Sequence, residues 1–129
     1  MLPTPLFGMT YAEFNDFCGA LPATTYVMQW GKAHVWKVGG KVFAIGGWEK
    51  ESDPAFTFKT STLNFNILRD EPGFRAAPYM AARGMKWIQQ YAVIEGGDAD
   101  LKDYIQESHR LVSLGLTKAQ QKALGLNQR

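Results

Sequence analysis

One cysteine, two histidines, a short acidic run and a spread of lysines and arginines are the side chains of this 129-residue sequence that could do chemistry. Cys18 recurs with Tyr11, Phe14 and Leu21 at helical spacing and has no base beside it in sequence. That is the pattern of a small buried hydrophobe rather than a thiolate nucleophile. His34 and His109 are too few for a metal centre unless carboxylates complete it, and no H-x-x-x-H or C-x-x-C pair accompanies them. Core packing for His34 and a helix surface for His109 are the expected placements. Gly39-Gly40-Lys41 lacks the rest of G-x-x-x-x-G-K-[ST], so it predicts a hairpin turn and no phosphate loop. Asp98, Asp100 and Asp103 open a helix, where negative charge suits the amino-terminal dipole; the loop spacing calcium requires is missing. No catalytic set forms, and the expectation is a protein that is not an enzyme, with no metal and no cofactor.

The remaining chemistry is cationic. Lys32, Lys37, Lys41, Lys59, Arg75, Arg83 and Lys86 are interleaved with Trp30, Trp36, Tyr79 and Trp87, a combination able to neutralise phosphates and stack against bases. The competing reading is a solvated sheet face over buried aromatics. A net charge of +2 is small for a nucleic-acid binder, but it is unevenly distributed. Residues 1–16 hold Glu13 and Asp16 and no base, whereas residues 17–94 hold nine Lys/Arg against five acids. Those five acids sit in two clusters, Glu49/Glu51/Asp53 and Asp70/Glu71, and residues 95–129 are neutral. A basic surface therefore belongs to the middle of the chain.

The run from Pro72 to Gln89 is the most unusual segment: two prolines, two glycines, Arg75, Arg83 and Lys86, with no acid from Pro72 to Ile94. Proline fixes φ and removes an amide donor, so the run as a whole is neither continuous helix nor a central strand. It predicts a shaped connection in which Tyr79 and Trp87 anchor the loop while Arg75 and Arg83 point outward.

Ordinary elements must position these residues. Thr10 with Glu13 forms a capping box for a helix through about Leu21, stopped by Pro22. Thr24–Trp30 is rich in β-branched and aromatic residues. Residues 33–38 and 41–45 flank Gly39-Gly40, a two-residue hairpin turn. Counting outward pairs Trp36 with Phe43 and Val35 with Ala44. His34, Trp36, Val38, Lys41, Phe43 and Ile45 then share one face, and Val35, Lys37, Val42 and Ala44 the other. In Phe56–Lys59 the two phenylalanines point inward, leaving Lys59 with Lys37 on an exposed sheet face. Ser61 or Thr62 caps a short helix through Leu68. A strand near residues 86–91 follows, then a long helix from Gly96-Gly97-Asp98 to Gly115, striped by Leu101, Tyr104, Ile105, Ser108, Leu111 and Val112. Thr117 with Gln120 caps a last helix ending at Gly125. Without strand–helix–strand alternation the class is α+β: two layers, a mainly antiparallel sheet with the N-terminal and C-terminal helices packed on one face.

Length and composition fit one domain over 1–129, with 1–9 a short N-terminal extension. A single cysteine fits a reducing compartment; no apolar run approaches a membrane span, and Met1–Gly8 does not resemble a signal peptide. The expected location is the cytoplasm, and the expected state a monomer.

Five segments resemble the MmcQ/YjbR family: Pro72–Gln89, similar to its G-x-x-P-A-P-Y-like segment; Val35–Ala44, similar to its [FW]-K-V-x-G-K-x-F-A hairpin; and Phe58–Ser61, Leu101–Val112 and Leu116–Lys118. Ala76 departs from the pattern, standing where many members have proline. The resemblance runs from Thr10 to about Gly125 and implies a CyaY-like α+β fold, also described as a double-wing DNA-binding motif, in small bacterial proteins. It implies no catalytic motif. A frataxin-like iron role would need an acidic helical ridge, and the first helix offers only Glu13 and Asp16. The functional expectation is a DNA-binding module for double-stranded DNA, with phosphates contacted by Lys37, Lys41, Lys59, Arg75, Arg83 and Lys86. The alternative is a non-catalytic protein- or small-ligand-binding module.

Overall fold

The structure, a computed structural model, describes residues 8–47, 54–78, 80 and 83–128. Its elements run α1 (Tyr11–Ala20), β1 (Thr24–Gln29), β2 (Ala33–Val38), β3 (Lys41–Gly46), β4 (Phe56–Lys59), α2 (Thr62–Leu68), β5 (Phe74–Ala76), β6 (Trp87–Gln90), α3 (Asp98–Leu114) and α4 (Lys118–Leu124). The strands form one antiparallel sheet in the order β1-β2-β3-β4-β6-β5.

Local chemistry fixes the helix ends. Thr10 Oγ1 accepts the Glu13 amide at 3.1 Å and Glu13 returns the bond to the Thr10 amide at 3.1 Å. Thr117 and Gln120 do the same for α4, and Gly125 ends it in the left-handed conformation. Ser61 caps α2. The proline-bounded run contains one element not expected from it, β5, a three-residue strand on the sheet's edge where missing amide donors are tolerated. β1 stops one residue short of Trp30, because Trp30, Gly31 and Lys32 all take positive φ (53°, 73° and 77°) to turn into β2.

The β2–β3 hairpin departs from simple counting. Lys37 pairs with Val42 and Val38 with Lys41, but Trp36 then faces Ala44 and Val35 faces Ile45, leaving Phe43 as an extra residue. This bulge turns both Phe43 and Ala44 toward the helices and moves Ile45 to the opposite face. On the helix side one row crosses all six strands as Tyr26, Trp36, Ala44, Phe58, Ile88 and Ala76. Phe14 and Cys18 of α1 and Leu101, Ile105 and Val112 of α3 pack on this side to complete the main core. Phe14 and Tyr11 approach closely because Gly46 has no side chain; a methyl there would lie 2.9 Å from the Phe14 ring.

The second face is not a bare surface. Its central row runs Val27, Val35, Ile45, Thr57, Gln89, Arg75, and Val35, Ile45, Thr57 and Gln89 are all buried. Met80, from the connection between β5 and β6, packs against Ala33, Val35 and Ile45. The proline-bounded run thus folds back across the sheet, and Lys37 and Lys59 are half-buried at the margin of a partly covered face rather than on an open one.

The hairpin tip carries its own test. Gly39 and Gly40 have φ of 57° and 82°; a methyl on Gly39 would meet Leu116 Cδ1 at 2.5 Å, whereas one on Gly40 meets nothing. Leu116 is buried and has little room to yield. Gly40→Ala is expected to lower unfolding free energy by about 1 kcal/mol from backbone strain alone, and Gly39→Ala by about 2–4 kcal/mol from strain plus overpacking. Denaturant melts of the two variants separate these values.

Candidate functional site

Charge is segregated by element. The six strands carry Lys37, Lys41, Lys59 and Arg75 and not one acid. The described acids belong to the helical layer: Glu13 and Asp16 in α1, Asp70 and Glu71 after α2, Glu95 before α3, and Asp98, Asp100, Asp103 and Glu107 within it. Lys37 and Lys59 share the second face two strands apart, which places their backbones about 10 Å from one another. Neither they nor Lys41 nor Arg83 is ion-paired among the described residues; the pair found there is Arg110 with Glu107, exposed on α3.

The remaining expected contacts scatter around this pair. Lys41 lies opposite Val38 and so takes the helix side of the hairpin tip, where it is exposed. Arg83 is exposed on the connection that crosses the second face. Arg75 reaches that face but does not project from it. Its Nε and Nη2 donate to Gln89 Oε1 at 2.8 and 2.6 Å, and its guanidinium lies 5.0 Å over the Tyr91 ring. The cause is register: Arg75 stands directly across from Gln89, whose own amide donates to Thr57 Oγ1 at 3.4 Å. Lys86 turns the other way, its ammonium 5.0 Å above the Phe65 ring of α2. The structure therefore puts Lys37 and Lys59 on one face, ties Arg75 into the sheet there, leaves Arg83 exposed on the connection, and sends Lys86 elsewhere. Trp87 is buried in β6; Tyr79 lies outside the described residues.

The other candidate groups resolve by burial. Cys18 is fully enclosed, and burial pushes its thiol far above the ordinary range, so the thiolate is disfavoured. His109 is not on a helix surface: it is buried, with Nε2 2.8 Å from the Pro22 carbonyl and its ring edge-on to Phe43. His34 is at the rim of the core, not inside it, with Nδ1 2.8 Å from the Tyr26 hydroxyl and 3.4 Å from Asn15 Nδ2. Asn15 Oδ1 in turn accepts the Trp36 indole N–H at 2.9 Å. Glu107 is held below the usual carboxylate range by its hydrogen bond from Arg110. No group of three or more His, Cys, Asp or Glu gathers among the described residues. None of the helices there is long and apolar enough to cross a membrane.

The Asn15–Tyr26–His34–Trp36 group escapes sequence reasoning because α1, β1 and β2 each contribute to it. The single local signal is that His34 and Trp36, two apart on one strand, share a face.

Solved structures share this fold. The Deinococcus radiodurans protein DR2400, which carries the DUF419 domain, superposes with a TM-score of 0.75 at 22% identity, over 97% of this chain and 93% of its own. A Pseudomonas syringae protein superposes with a TM-score of 0.63 at 20% identity, over 80% of this chain and 98% of its own. Comparison with curated proteins finds no match. The YjbR family model matches residues 19–111, a span holding every strand of the sheet and most of α3. A match of that length, over the hairpin and the proline-bounded run that build the second face, makes this chain a member of the YjbR family.

Proposed function

We propose that the protein is a DNA-binding module that meets the phosphates of double-stranded DNA with the second face of its sheet. The observation carrying this reading is the acid-free sheet: four cations and no carboxylate on six strands, with every described acid in or beside the helical layer. Such a separation gives one side of a nearly neutral molecule a positive potential without the high overall charge common among nucleic-acid binders. Lys37, Lys59 and Arg83 supply the phosphate contacts, Lys41 extends them at the hairpin tip, and Arg75 adds charge from a fixed position. Lys86 takes no part, its ammonium lying over the Phe65 ring of α2.

Three or four phosphate contacts set the salt dependence. The log–log slope is expected near −3, which lowers affinity about 40- to 150-fold between 50 and 200 mM salt. Titration of a labelled duplex at the two salt concentrations measures it. Lys37→Glu with Lys59→Glu should weaken binding at both and flatten the slope by about two units. Absence of binding at low salt, or a slope unchanged by the double substitution, rules the reading out.

A further inference from the structure

A second site of opposite character lies on the helix side of the sheet at its β1 edge. A shallow, open depression is lined there by Asn15, Asp16, Tyr26 and Trp36. The Tyr26 and Trp36 rings stand 5.2 Å apart, tilted by 53°. Both are locked from behind: Trp36 Nε1 donates to Asn15 Oδ1, and the Tyr26 hydroxyl is bonded to His34 Nδ1. Gly19 lets the indole lie against α1, since a methyl at that position would come within 3.1 Å of it. Two fixed aromatic faces are thus presented without further loss of side-chain freedom.

The charge beside them is negative. Asp16 is exposed on α1 and takes part in no ion pair among the described residues. Four cation–ring contacts occur elsewhere in those residues, over Phe65 twice, Tyr91 and Phe17, yet no lysine or arginine there covers Tyr26 or Trp36. Aromatic faces converging beside an unpaired carboxylate are suited to an organic cation, whose charge is attracted by the ring quadrupoles and by Asp16 together. An anionic or phosphate-bearing ligand would be repelled there.

We propose that this depression binds an alkylammonium group, carried either by a small molecule or by a lysine side chain of a partner. The site is independent of the DNA-binding reading, being on the other face of the sheet and using none of its lysines.

The test follows the Trp36 indole N–H resonance of the full-length protein during titration with choline chloride, at constant chloride. Its neutral isostere 3,3-dimethylbutan-1-ol is the control. A saturable shift with choline and none with the alcohol is expected. Asp16→Asn should weaken binding about fivefold, and Tyr26→Leu, at an exposed edge position, about fivefold or more. A lysine-rich peptide that shifts the same resonance at tenfold lower concentration than choline identifies the side-chain source; choline binding the more tightly identifies the small molecule. Equal shifts from the alcohol, no loss in Asp16→Asn, or saturation by adenosine in place of choline overturns the proposal.

Discussion

Replacing Ser108 by alanine is expected to lower unfolding free energy by about 2–4 kcal/mol, a large loss for removing a single oxygen. Ser108 is fully buried in α3, where its hydroxyl accepts the Lys59 amide at 2.8 Å and donates to the Phe43 carbonyl at 2.6 Å. Phe43 is the bulged residue of β3, and regular pairing between β3 and β4 ends at Ala44 with Phe58. The next ladder position would join the Lys59 amide to the Phe43 carbonyl, and the Ser108 hydroxyl is inserted between them. Alanine would orphan a buried donor and a buried acceptor at once, each costing about 1–3 kcal/mol. Ser61→Ala provides the yardstick, since it removes only the α2 cap and should cost about 1 kcal/mol. Equilibrium denaturation of the two variants checks the ratio, and equal losses would mean that β3 and β4 zip together without the serine. The same bond fixes the end of β4, so Ser108→Ala should also blur the position of Lys59.

Features encoded by local chemistry were legible in the sequence. The capping boxes at Thr10/Glu13 and Thr117/Gln120 depend on residues three apart, and the Gly39-Gly40 turn on two adjacent glycines; all three stand where the spacing puts them. The facing of β3 was not legible. A two-residue turn fixes register only until a bulge intervenes, and this bulge is stabilised by Ser108, 65 positions away. Ser108 itself reads as one more member of an apolar helical stripe, and nothing local marks it as a bridge. Lys37 and Lys59 do share a face, because alternation within each strand survives the bulge. Arg75 turns into the sheet rather than outward for a related reason. Its partner Gln89 is brought opposite only by the pairing of β5 with β6, and β5 is too short, between its prolines, to announce itself. Charge segregation was half visible: the clustering of acids is a property of sequence, but the sheet's being free of them emerges only when the strands are assembled.

The second large effect is expected at Trp87, set against its neighbour Arg83. Trp87 faces Lys59 across β6 and β4, on the side of the sheet crossed by the connection from Ala77 to Lys86, yet it is only 4% exposed. Its burial is explained by the chain around it. The Ala77 amide donates to the Trp87 carbonyl at 2.9 Å and the Trp87 amide to the Met85 carbonyl at 3.0 Å, so both ends of the connection are fastened at this residue. The indole is buried, and Trp87→Ala is expected to cost about 3–5 kcal/mol through lost burial and the cavity left behind. Arg83 lies on the same connection, exposed, and among the described residues is tied through its backbone amide to the Met80 carbonyl at 3.1 Å. Arg83→Ala should leave the thermal melt within about 0.5 kcal/mol of the parent while reducing duplex affinity and lowering the salt slope by about one unit. Thermal melts and duplex titrations of both variants therefore dissociate support from contact. A melt that is sensitive to Arg83 and indifferent to Trp87 would reverse the roles, making the arginine the fastening of the connection and leaving the indole free to meet a partner.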